Sequence, residues 1–232
     1  TFNLISESEK KNIRDKYKIK SEDYVLTNIG AMTQNKGVED LIAAYGILKK
    51  KNKNLKLILK DQSNLYDRGA NNPIKNMHDS KFNQKYKIFN DQMYKDMIII
   101  SENLNFKEIR NIYSITDCYV SPYKAEGFNL TPLEAAACGT QIVVTDGGPT
   151  DDYFDDCMGF KIESKEEKLN DNIYLKPKTN SLIEILDSII NKTDNKKNQR
   201  SKLVHKNFSW ENIVKKLKKE FENKLSKWNK KL

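Results

Sequence analysis

Residues 117–145 read DCYVSPYKAEGFNLTPLEAAACGTQIVVT. An apolar run at 117–121 is stopped by Pro122, and a second run, QIVVT, follows at 141–145. Between them the pattern predicts a polar loop, a helix from about Thr131 to Cys138, and Gly139 as its stop. The loop places Glu126 and Glu134 on either side of that helix start.

The same alternation runs outward in both directions. YVLTNI (24–29), LKLILK (55–60) and MIII (97–100) are further predicted strands, with a last short one at 159–162. Val38, Leu41, Ile42, Tyr45 and Leu48 recur at helical spacing over 38–51. Helices are also expected at 81–95, 106–115, 181–191 and 209–230, and the TDDYF run after Pro149 is expected to open another. The segment 61–76 reads as a long loop, and the lysine- and asparagine-rich stretch after Asn191 as a linker. Strands that are continuous apolar runs, alternating with helices, belong to a parallel sheet covered on both faces. The fold class is therefore α/β, a doubly wound, Rossmann-like domain whose ligands sit at the carboxyl ends of the strands.

Residues 1–22 read as a polar lead-in from an upstream domain, 23–206 as the ligand-binding domain, and 207–232 as a closing basic amphipathic helix. The chain has 232 residues, ample for a core, and its 31% charged content accompanies 38% hydrophobic residues. The net charge of +9 comes from lysines spread along the chain, so it reads as a solvated surface rather than a nucleic-acid site. Three cysteines without a C-x-x-C pair favour a reducing, cytoplasmic compartment. The two histidines, His78 and His205, stand alone, with no clustered ligand set around them. Asp151-Asp152 and Asp155-Asp156 read as solvated acids at a helix start.

The loop from Gly30 to Gly37 leaves a strand, carries Lys36 and enters a helix. That is either an anion seat or an ordinary connection with a surface lysine. Lys60 is either a second phosphate contact or the polar end of a strand. Thr131-Pro132-Leu133-Glu134 reads as a capping box, with Glu134 reaching back to the cap N–H. Glu126 has no such structural role, and its neighbour Gly127 allows close approach of a ligand. Phe128, Asn129, Leu130 and Thr131 would present N–H groups to an anion.

These stretches resemble a known family. Glu126-Gly127-Phe128 through Glu134-Ala135, Cys138-Gly139, Ile142-Val143-Val144 and Gly147-Gly148 are similar to the E-x7-E region of the retaining glycosyltransferases of family four, which have the GT-B architecture. Gly30 with Lys36-Gly37 resembles that family's first donor loop, 117–122 its preceding strand, and Phe208-Ser209-Trp210-Glu211 the start of its closing helix. The resemblance covers about 24–228. It implies the carboxyl-terminal, donor-binding half of a hexosyltransferase that takes a UDP- or GDP-sugar and needs no metal or other cofactor. Glu134 would hold the ribose hydroxyls, Lys36 and the amides of Asn129, Leu130 and Thr131 the diphosphate, and Glu126 the transferred sugar. A glycan, a lipid-linked sugar or a protein would be the acceptor, with a missing amino-terminal domain completing the enzyme. The resemblance also implies that the final helix crosses back toward that domain.

Three departures stand out: Ala31 where the family has arginine, with Lys60 as the substitute; Asn129 where it has glycine; and Gln141 where it has proline. Tyr66, Arg68 and His78 border the long loop, which is expected to cover the nucleotide. The apolar stripe of the last helix, Trp210, Val214, Leu217, Phe221, Leu225 and Trp228, is expected to pack on the domain. A peripheral membrane contact is its sharpest alternative. A non-catalytic nucleotide-sugar-binding pseudo-transferase and a sugar-nucleotide epimerase are the competing functions.

Overall fold

The computed structural model describes residues 1–66, 69–169, 171–190 and 192–229. In chain order, α1 (Glu7–Lys16) precedes β1 (Tyr24–Ile29), α2 (Val38–Lys49) and β2 (Leu55–Lys60). Four short helices follow: α3 (Ser63–Tyr66), α4 (Asn71–His78), α5 (Lys81–Tyr86) and α6 (Asp91–Lys95). Then come β3 (Met97–Ile100), α7 (Phe106–Ile115), β4 (Cys118–Ser121), α8 (Leu130–Ala137), β5 (Gln141–Thr145) and β6 (Gly159–Ile162). The chain continues through β7 (Ser164–Leu169), β8 (Asn172–Pro177), α9 (Thr179–Ile189), α10 (Lys197–Phe208) and α11 (Trp210–Asn229).

Six strands form one parallel sheet in the order β3-β2-β1-β4-β5-β6, as the apolar runs required. Alternate side chains feed two separate cores. Leu26, Leu57, Leu59, Val120 and Val143 pack with α2, α4 and α9 on one face. Val25, Ile58, Tyr119, Ile142 and Val144 pack with α7, α8 and α10 on the other. Each central strand thus buries both faces, which is why its sequence is apolar throughout rather than alternating.

Four sequence expectations are corrected. Residues 61–76 are not simply a loop: Pro73, Ile74 and Met77 of α4 are buried against α2, so tertiary packing rescues a helix that its asparagines concealed. The expected helix over 81–95 is broken in two, with Lys87 left-handed at the end of α5 and Ile88 buried between. The stretch after Asn191 holds the helix α10, not a linker throughout, and its fully buried Arg200 donates to Gly139 O and Cys157 O while pairing with Asp194 at 2.9 Å. The TDDYF run opens no longer helix: its first three residues lie in a single 3-10 turn, Pro149–Asp152.

The stripe on α11 does not pack on the domain. Trp210 is 84% exposed and Phe221 65%, with Val214, Leu217 and Leu225 also open. Arg68, and the side chains of Tyr66 and Trp228, lie outside the described residues. Among the described residues no helix is long and apolar enough to cross a membrane.

Candidate functional site

The chain runs from β1 outward to β3 and then returns to β4, so β1 and β4 flank the switch point of the sheet. Their backbone pairing covers only Leu26↔Cys118 and Thr27↔Tyr119. Beyond it, side chains span the gap: Asn28 Nδ2 donates to Val120 O (2.7 Å), and the Tyr119 hydroxyl donates to Ile29 O (3.1 Å). The backbone pairing therefore ends before the carboxyl ends of the two strands, at the crevice position where ligands bind in such sheets.

Two loops line that crevice. After β1, the chain leaves at Gly30, makes a 3-10 turn over Gln34–Lys36 and enters α2 through Gly37. Gly37 is left-handed (φ +64°), and a Cβ there would collide with Pro122 O. This close approach brings the second loop, after β4, against the first. Lys124 N donates to Asn35 O (2.6 Å), and Asn35 Nδ2 donates to Ala125 O (3.1 Å). Docking the loops this way brings Lys36 and Glu126, 90 positions apart, into a direct ion pair. The Glu126 side chain is only 11% exposed.

The helix start differs from the capping box expected at Thr131. Helix α8 begins one residue earlier, at Leu130, and its cap is Asn129 in the left-handed region (φ +62°), with no side-chain cap bond. Asn129 instead donates from Nδ2 to Ser121 Oγ (3.0 Å) and accepts at its carbonyl from the Tyr153 hydroxyl (2.7 Å). Thr131 Oγ1 turns to Asn129 Oδ1 at 3.4 Å. The first amides of α8 thus keep no side-chain acceptor, the arrangement that suits an anion.

Glu134, freed from capping, accepts from the Tyr113 hydroxyl at 2.9 Å. Burial pushes its carboxyl above the usual glutamate range, and the Tyr113 bond opposes that shift. Tyr113 is fully buried in α7. Nothing in the one-dimensional pattern links positions 113 and 134, so the sequence reading missed Tyr113; Asn35 escaped it for the same reason.

The remaining expected residues divide. Gly127 faces open space, Leu130 is exposed, and Phe128 is partly exposed with its ring 5.2 Å from that of Tyr153. Lys60 is buried with its ammonium turned onto Asp61 O, and burial lowers its pKa. It is joined to the first loop through Gly30 N, which donates to Lys60 O at 3.0 Å, but its charge is not shared with the Lys36–Glu126 pair. Asp151 accepts from Gly147 N and pairs with Lys161 at 2.8 Å, a structural role. Among the described residues no group of three or more His, Cys, Asp or Glu stands together as a metal site.

Sequence and fold comparisons identify the family and the fold. Residues 9–176 match the family model described as glycosyl transferases group 1. No curated protein sequence matches the chain significantly. Among solved structures, the chain is similar to sucrose-phosphate synthase from Thermosynechococcus elongatus, at 17% identity and a TM-score of 0.72, over 97% of this chain and 50% of that one. It is also similar to HepE from Anabaena, solved in complex with UDP and glucose, at 14% identity and a TM-score of 0.69, over 96% of this chain and 54% of that one. The C-terminal domain of a group 1 family protein, LpcC, from Francisella tularensis matches at 22% identity and a TM-score of 0.64, covering 90% of this chain and 96% of that domain. The chain therefore spans about half the length of the first two structures and nearly all of an isolated C-terminal domain.

Proposed function

Since the chain belongs to the glycosyl transferases of group 1, we propose that it is the donor half of a retaining, metal-independent transferase. It would bind a nucleotide-diphosphate sugar, UDP- or GDP-linked, and pass the hexose to an acceptor hydroxyl on a glycan, a lipid-linked sugar or a protein. The observation that carries the reading is the meeting of Lys36 and Glu126 beside the uncapped start of α8, with Glu134 a little over one turn into that helix. HepE, a fold neighbour, was solved with UDP and glucose bound, which fits a donor of this class.

Each group then has a chemical task. The leaving diphosphate gathers negative charge as the glycosidic bond breaks, so fixed cations and amides that face it lower the barrier. Lys36 supplies the cation, and the amides of Asn129, Leu130 and Thr131 supply the dipoles. Glu126 neutralises Lys36. A diphosphate competes for the ammonium and leaves the Glu126 carboxylate to accept from sugar hydroxyls near the reacting carbon. Glu134 accepts from the ribose hydroxyls.

The other half of the enzyme would be a second, amino-terminal domain facing this crevice. The exposed stripe of α11 supports that reading, because such a surface remains open only until a partner covers it. Among the competing functions, a sugar-nucleotide epimerase would want an acid–base set in the crevice.

Titrating the chain with UDP, GDP and ADP and their sugars tests the donor site. Saturable amide shifts at Lys36, 129–131 and Glu134 with one nucleotide would establish the site and name the base. In the full-length enzyme, Glu126→Ala is expected to keep nucleotide affinity within a few-fold and lower kcat by roughly 10² or more. Normal turnover by that variant would remove Glu126 from the reaction, and nucleotide binding without turnover in the wild type would favour the pseudo-transferase.

A further inference from the structure

Between β6 and α9 the chain departs from the layered fold to form an antiparallel hairpin, in which β7 pairs with β8 from Ser164↔Pro177 to Leu169↔Asn172. Among the described residues the hairpin joins no other sheet. It is nevertheless seated firmly at its base, and its seat is the Glu126 loop. Leu175 N donates to Lys124 O at 2.7 Å, and Ser164 Oγ donates to Asp146 O at 2.7 Å. The Leu175 side chain lies over Gly148, where an added Cβ would come within 2.9 Å of Leu175 Cδ1 and would also collide with the Tyr123 hydroxyl. Leu175 packs against the same core as Tyr123 and Tyr153.

The segment from Pro122 to Ala125 is thus gripped from two sides. The first loop holds one side, through Asn35 and the close approach at Gly37. The hairpin holds the other through Leu175. Glu126 follows immediately, on a stretch whose next residue, Gly127, has open space around it. Without the hairpin, Lys124 O would lose its partner, and the segment before Glu126 would keep only its hold on Asn35 and the bonds of the buried Tyr123 to Thr145 and Thr150.

Resting on the donor-site reading above, we propose that the β7–β8 hairpin is a positioning element for the transfer reaction, and that Leu175 is its positioning residue. It holds the 122–126 loop so that Glu126 meets the sugar while Lys36 meets the diphosphate. Misplacing a reacting group by about 1 Å costs on the order of 10²-fold in rate, so a loop clamp acts on kcat rather than on nucleotide affinity.

The test uses four variants of the full-length protein. Ser164 and Pro177 are paired neighbours, so residues 165–176 can be replaced by a short Gly-Ser linker without stretching the chain. Leu175→Ala keeps the backbone bond and removes only the packing at Gly148, with Leu175→Met as its conservative partner. Ile173→Ser, at a 66% exposed position on the same strand, is the control.

Hydrogen exchange is read at the Lys124 and Ala125 amides, alongside kcat and donor KM. The linker variant is expected to exchange there about tenfold faster, with kcat lowered tenfold or more and donor KM changed less than about threefold. Leu175→Ala should move the same readouts partway, and Leu175→Met should restore them, with Ile173→Ser unchanged. Unchanged exchange at those amides in both the linker and Leu175→Ala variants overturns the proposal, whether or not the wild type binds a nucleotide. So does a KM effect without a kcat effect. Faster exchange in a protein that binds no nucleotide upholds the clamp and overturns the donor-site reading instead.

Discussion

Asn129 shows how a single residue can differ from its family's usual choice without breaking the pattern. The position requires φ +62°, a region open mainly to glycine and asparagine. Asparagine meets the requirement and adds a bond to Ser121 Oγ. Asn129→Ala should therefore destabilise the chain by about 1–2 kcal/mol from backbone strain alone, read as a fall in thermal midpoint. Tyr113 acts through Glu134. Tyr113→Phe removes only the hydroxyl that holds the carboxylate, so it should weaken ribonucleotide binding severalfold while leaving the matching deoxyribonucleotide almost unaffected. Equal losses for the two would detach Glu134 from the ribose. Burial raises the Glu134 pKa, so this carboxyl takes up its proton at a higher pH than an ordinary glutamate. Once protonated it loses accepting capacity. Affinity for the nucleotide should then fall on acidification from above the usual glutamate range, and Glu134→Gln should flatten that dependence.

At the scale of elements, α8 and α10 illustrate what a local pattern can and cannot say. The helix after Asn129 was legible because Gly139 stops it and an apolar run follows. Its first turn was not, because a Thr-Pro-x-Glu pattern fits a capping box equally well whether Glu134 folds back or reaches to another helix. Helix α10 looked like linker because the largest side chain it buries is an arginine. Arg200 ties α10 to the Gly139 turn and to Cys157, and pairs with Asp194. Replacing it with alanine leaves Asp194 unpaired and two carbonyls without donors, at a cost of about 3–5 kcal/mol. Arg200→Lys should recover little, since a lysine cannot reproduce the guanidinium fork. Chemical denaturation of the three proteins checks the order.

For the whole molecule, the exposed stripe on α11 sets the expectation. Phe221→Glu and Leu217→Glu change side chains that touch solvent, so the stability of this half should move by no more than about 0.5 kcal/mol. Their effect should appear instead in assembly: weaker packing against the amino-terminal half, seen as loosened domain association and reduced turnover in the full-length enzyme. If turnover persists while binding to anionic vesicles is lost, the stripe serves a membrane surface instead. The hairpin β7–β8 belongs to this scale as well. It was invisible in the sequence because β7 is largely polar, β8 carries only the three-residue apolar run 173–175, and among the described residues the two strands pair only with each other.

The sequence by itself determined the parallel sheet and the order of its six strands along the chain, and it singled out the stretch around Glu126 and Glu134 as the candidate site. Strands buried on both faces must be apolar throughout, and that constraint is written residue by residue. Only the tertiary structure decided that Lys36 pairs with Glu126, that Tyr113 rather than the helix cap holds Glu134, and that a hairpin grips the loop between them. Each of these depends on two distant segments meeting above the sheet. Such meetings are set by how the layers pack, and a hydrogen bond between side chains far apart in sequence leaves no periodic trace in either segment.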